Sequence, residues 1–112
     1  LANLAISAYR AVVLSTNGGV TYAGASVVPD GFAQYDVASA DYVAVRGIFQ
    51  GGSLKGVLTA SPVTIGDTLY AGALGRVSST GTITVGKSLT TTGGAANAAN
   101  DTVIEFSPHT GA

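Results

Sequence analysis

Turn signals set the frame for this chain. TNGG (16–19), PDG (29–31), QGG (50–52), IGD (65–67) and TTGG (91–94) punctuate a chain rich in Gly, Thr, Ser and Val, residues that favour strands and turns over helices. Between the breaks stand mainly Val, Thr, Ile and Tyr, whose branched or aromatic side chains suit a pleated surface. Strands are expected at 9–16, 20–23, 42–49, 56–60, 68–71, 75–78, 82–90 and 102–106. Short strands at this spacing, with 16 glycines among 112 residues, predict an all-β fold: a small single-domain barrel or sandwich with little or no helix. Only Ala-rich pieces such as GAANAAN (94–100) offer material for a helical turn, and that piece reads as loop.

The two halves of the chain resemble each other. RAVVLSTNGGV (10–20) lies over DTLYAGALGRV (67–77), each a strand, a Gly-bearing hairpin turn and a second strand. PDGFA (29–33) then falls over TVGKS (84–88), and ASADYVAV (38–45) over AANDTVIE (98–105). This describes two similar β-units closing around one core, neither long enough to be stable alone.

Charged residues make up 10% of the chain and hydrophobic ones 46%, with a net charge of −1. A surface so poor in charge is expected to be covered in part by other protein chains. Five basic residues, Arg10, Arg46, Arg76, Lys55 and Lys87, are widely spread and outnumbered by six acids, which argues against nucleic acid as a partner. Five Tyr and three Phe suit core filling or subunit contact. No cysteine is present, so thiolate chemistry and disulfides are excluded. Aliphatic runs such as AVVL (11–14) are too short to span a bilayer, and no signal-peptide pattern is seen, so no membrane partner is expected.

One stretch raises a sharper possibility. GTITVGKS (81–88) satisfies the phosphate-loop pattern G-x-x-x-x-G-K-[ST] at every fixed position. Its four variable residues, Thr82, Ile83, Thr84 and Val85, are all β-branched and resist the tight turns such a loop needs. Their alternation predicts a half-buried strand, with Ile83 and Val85 on one face, and no amphipathic helix follows to aim its N-terminus at phosphates. His109, the sole histidine, sits in the tail SPHTGA and is poorly placed for a Ser–His–Asp arrangement. Asp30, Asp36, Asp41, Asp67 and Asp101 stand mostly beside small turn residues, where Asp hydrogen-bonds nearby backbone N–H groups, and no calcium-loop pattern occurs. The expectation is a protein that is not an enzyme, with no cofactor and no metal.

PVTIGDTLYAGALGRVSSTGTITVGKSL (62–89) with NDTVIEF (100–106) resembles the small bacteriophage capsid cement, or head-decoration, proteins. The matching residues are Gly66, Asp67, Leu69 and Tyr70 in a turn and strand, then Gly75 and Val77 after a hairpin. Val85, Gly86, Ser88 and Leu89 match a third strand, and Asp101, Thr102 and Val103 the last, with Asn100 where glycine is common. The resemblance covers about half the chain and reaches loosely into AYRAVVLSTNGGV (8–20). It implies a β-barrel-like virion protein on the outer capsid surface, bound to the major capsid protein and commonly a homotrimer.

The expected organisation is an N-terminal arm at 1–7, a β-barrel decoration domain at 8–107 and a tail at 108–112. Leu1, Asn3, Leu4 and Ile6 of LANLAIS are the candidate capsid contacts, the arm adding to a sheet edge or groove of the capsid protein. An equal reading makes these residues the first strand of the domain itself. Under the arm reading, deletion of 1–7 abolishes binding and leaves the fold intact. Two other functions stay open: another virion module in a tail or fibre, and a small β-barrel ligand-binding protein.

Overall fold

The computed structural model describes residues 1–47, 52–59, 62–91 and 102–108. His109, Asp101, Asn100, the 94–100 loop, the end of the expected 42–49 strand and most of QGG lie outside them. Among the described residues nine strands form two antiparallel sheets. The first contains β1 (Ala11–Leu14), β2 (Val20–Tyr22), β3 (Gly31–Ala33) and β4 (Val45–Gly47), in the order β2-β1-β3-β4. The second contains β5 (Leu54–Val57), β6 (Thr68–Ala71), β7 (Val77–Ser78), β8 (Thr84–Ser88) and β9 (Val103–Pro108), in the order β5-β9-β8-β6-β7. One 3₁₀ turn, Ala73–Gly75, joins β6 to β7.

Read from the hairpin outward, the two sheets have the same plan: β2-β1-β3-β4 in one and β7-β6-β8-β9 in the other. The register agrees residue by residue. Leu14 faces Val20 as Ala71 faces Val77, and Val12 faces Gly31 as Leu69 faces Gly86. The hairpins close with matching bonds, Ser15 N–H to Gly19 O at 2.8 Å and Gly72 N–H to Arg76 O at 2.7 Å. Gly18 and Gly75 hold the same turn position at φ 85° and 75°, in the left-handed region that disfavours side chains. The duplication written in the sequence is therefore a duplication of topology.

The fourth strand departs from the sequence alignment by one residue. Val45 pairs with Ala33 where Phe106, not Glu105, pairs with Ser88. In a strand that slip exchanges the faces. On β9 Phe106 is buried and Glu105 is exposed.

The main core lies between the sheets. Ala11, Ala23 and Phe32 of the first pack on Leu54, Leu58, Leu69, Val77, Val85, Ile104 and Phe106 of the second. Phe32 and Phe106 meet edge to face, with centroids 5.1 Å apart and planes at 64°. Behind the first sheet, Val12 and Ala33 form a second cluster with Ala2 and Ile6. β1 is thus covered on both faces at Ala11 and Val12, while Leu14 at its end is exposed.

Strand ends differ from expectation in understandable ways. β3 was not expected, because three residues opening on glycine are too few to show alternation. β5 begins earlier than the expected 56–60, at Leu54. β9 continues through Pro108, which the sequence boundary had placed in the tail.

Gly31 and Gly86 occupy equivalent places, and both let neighbouring strands approach closely. A Cβ on Gly31 would stand 2.5 Å from Arg46 O, and one on Gly86 would strike Ser107 O. The blocking atoms are backbone and cannot swing aside. Gly86→Ala is expected to cost about 2 kcal/mol or more. Gly24→Ala, where nothing lies within 4 Å, is expected to stay within about 0.5 kcal/mol. Urea unfolding of the two variants tests the difference.

Candidate interaction surface

The phosphate-loop pattern is spent on a sheet. Thr84–Ser88 is β8, paired with β6 on one side and β9 on the other, so its N–H groups belong to ladders. Val85 is fully buried and Ile83 packs against the same core, as the alternation predicted. Ser88 is 1% exposed and its Oγ donates to Thr90 O at 2.7 Å, so the hydroxyl faces no metal or phosphate. Lys87 is exposed opposite Thr68 and Ser107.

Three of the carboxylates serve the backbone. Asp67 Oδ2 accepts from Thr64 N–H at 2.8 Å within its own turn, as the sequence suggested. Asp30 Oδ2 accepts from Leu14 N–H at 2.8 Å and Asp36 Oδ1 from Ala8 N–H at 2.6 Å, partners remote in sequence. Among the described residues no group of three His, Cys, Asp or Glu side chains could hold a metal ion.

Residues 1–7 lie along the first sheet. Ala2 bridges Val20, and Ile6 bridges Val37. Ile6 is 1% exposed, so it is a core side chain here and a partner reaches it only if the segment lifts. Asn3 Nδ2 donates to Ser15 Oγ at 2.9 Å, and Asn17 Nδ2 donates to Asn3 Oδ1 at 3.3 Å, tying the segment to the β1–β2 turn. Tyr22 adds a second tie, its hydroxyl accepting from Ser7 N–H at 3.1 Å and donating to Ala5 O at 3.2 Å. Of the four candidate contacts, Leu1, Asn3 and Leu4 remain exposed. Leu1 joins Asn3, Asn17, Gly18 and Gly19 around a shallow depression of about 240 Å³.

A second open cleft, of about 300 Å³, lies where the sheets adjoin. Its walls include Tyr9, Gln34, Tyr35, Arg46, Lys55 and Glu105. Lys55 Nζ sits 5.5 Å above the Tyr9 ring, and Ser53 Oγ donates to Glu105 at 3.4 Å. Cations, a carboxylate and tyrosines in an open trough suit hydrogen bonding to a polar partner surface. The sequence had not singled out Tyr35 or Tyr42, which are 70% and 86% exposed. Nothing in the alternating runs around them separates an outward tyrosine from an inward one.

No protein-family model matches this chain, and no curated protein sequence matches it. Among solved structures it is similar to the N base of head fiber gp8.5 in bacteriophage phi29. The TM-score is 0.72 at 19% identity, covering 94% of this chain and 86% of that one. The two share a fold.

Two outcomes follow from this geometry. Lys87→Ala is expected to leave stability within about 0.5 kcal/mol, and Mg-ATP to leave the melting temperature of both forms unchanged in differential scanning fluorimetry. Ile6→Ala is expected to cost about 2–4 kcal/mol in urea unfolding, whereas Leu4→Ala, at 39% exposed, costs under about 1 kcal/mol.

Proposed function

We propose that this chain is a structural protein of a bacteriophage virion, carried on the outer surface of the head. The observation that carries the reading is the shared fold with the head fiber N base over 94% of the chain. The residues 62–89 that resemble capsid cement proteins support it from a separate direction. In this reading the protein is a cement or decoration protein without catalytic role, and its partner is the major capsid protein.

The chemistry of the surface suits that task. Charged residues are few, so little desolvation cost opposes burial against another protein. Leu1, Leu4, Tyr35 and Tyr42 stand exposed and offer apolar and aromatic contact area. Binding only the mature shell would stabilise it by mass action. A homotrimer on a symmetry axis would multiply weak contacts through effective concentration.

The head fiber likeness favours a second reading, in which the chain is the seat of a fibre on the head. Copy number separates the two. Quantitative mass spectrometry of gradient-purified particles is expected to find the chain near stoichiometric with the major shell protein. A small fixed number of copies would favour a fibre or tail part, and absence from particles would overturn the virion reading. Leu1→Asp with Leu4→Asp is expected to lower particle occupancy at least about tenfold while melting stays within a few degrees of the parent.

A further inference from the structure

The two repeated units meet back to front. The back of the first sheet, with Ala11, Phe32 and the adjoining Ala23, packs on the front of the second. The contact runs from Phe106, which meets the Phe32 ring, to the turn at Gly75, whose N–H bonds Ala23 O at 3.0 Å. Beneath it Leu69, Ala71, Val77 and Phe106 are all 3% exposed or less.

The front of the first sheet is the same surface one unit earlier. Strand pairing makes Val12 the counterpart of Leu69, Leu14 of Ala71, Val20 of Val77 and Val45 of Phe106. By alternation Leu14 shares the face of Val12, and Val45 lies on the face of its pair Ala33. Ala2 and Ile6 cluster with Val12 and Ala33 at the centre of this face. Its two ends are not enclosed: Leu14 is 64% exposed, Val45 is 39% exposed, and Val20 is half-buried. Gly18, the counterpart of Gly75, is exposed as well. Each of these residues meets water where its counterpart is enclosed between the units.

We propose that the front of the first sheet is a self-association surface, covered face to face by a second copy of the chain about a two-fold axis. Inside the chain a front of this kind is covered by an apolar sheet of the same chain, and the back that covers it is used up in the core. The back of the second sheet cannot repeat the docking. Thr68 and Lys87 pair there as Ala11 and Phe32 do in the first sheet. An ammonium pressed against Leu14 and Val45 would lose its water without gaining a partner. Head-to-tail stacking of units therefore stops at the second sheet. The front of the first sheet presents Val12, Leu14, Val20, Ala33 and Val45, none of them charged, and a two-fold axis makes such a patch its own complement. The contact is distinct from any three-fold association on a shell.

Sedimentation velocity of the 112-residue chain over a concentration series tests this. Monomers are expected to give way to dimers as concentration rises. Leu14→Asp is expected to weaken dimerisation at least about tenfold, since it carries a carboxylate into the contact from each side. Its melting temperature should stay within a few degrees of the parent at concentrations where both are monomeric. Ile65→Asp, at a residue also 64% exposed but in the turn before β6, is expected to dimerise like the parent. In a mixture of isotope-labelled and unlabelled chains, filtered NOEs between copies are expected at the methyl groups of Leu14 and Val45. A chain that stays monomeric throughout the series, or that forms trimers instead, would refute the proposal. So would a dimer that survives Leu14→Asp unweakened or shows no such NOEs. No readout involves a virus particle, so the result stands apart from the virion reading.

Discussion

The contact between Phe32 and Phe106 holds the two halves of this protein together. Each ring comes from a different sheet, each is fully buried, and they meet edge to face at 5.1 Å. Gly56 makes room for the contact, since a Cβ there would lie 3.0 Å from Phe106 and 3.6 Å from Phe32. Around this pair the small residues Ala11, Ala23 and Ala71 allow the sheets to approach, while Leu58, Leu69 and Val77 fill the remaining volume. Strands of two to six residues bury too little individually to offset the entropy of ordering them. The shared core is what makes either sheet worth forming.

The units repeat in topology and differ in use. The turn after β6 reaches across to the first unit: Gly75 N–H bonds Ala23 O at 3.0 Å, and Arg10 Nη1 bonds Leu74 O at 2.9 Å. A Cβ on Gly75 would lie 2.6 Å from Ala11 O, so the same glycine serves both the turn and the docking. The corresponding turn of the first unit faces outward and is tied instead to Asn3 through Asn17. One copy of the hairpin has become an internal latch, and the other is left at the surface near Leu1. Duplication thus yields one turn enclosed between the units and one turn at the surface.

Much of this was legible in the chain. The turn signals placed most of the strands, and β6 matches its expected range of 68–71. The repeat located equivalent hairpins because Gly18 and Gly75 both demand left-handed backbone, a local requirement that survives divergence. The strand expected at 82–90 is realised at 84–88, recognised for a local reason as well, the steric stiffness of the β-branched residues, although Thr82 and Ile83 precede it. β3 was hidden because Gly31 and its two neighbours form a strand only through pairing with β1 and β4. The one-residue slip at β9 was hidden because small identities cannot fix register, whereas the packing of Phe106 can.

The candidate surface was less legible. Leu1, Leu4 and Ile6 look alike as apolar residues in an N-terminal segment, yet Ile6 is enclosed and the other two are not. Which face a side chain takes depends on pairing with Val20 and Val37, elements far along the chain. By itself, then, the sequence determined the all-β class, the turns, the repeated unit and the strand character of 84–88, because these rest on backbone sterics within a few residues. Tertiary structure alone decided register, the latch and the buried fate of Ile6, because those depend on which distant strand supplies the partner for each backbone hydrogen bond.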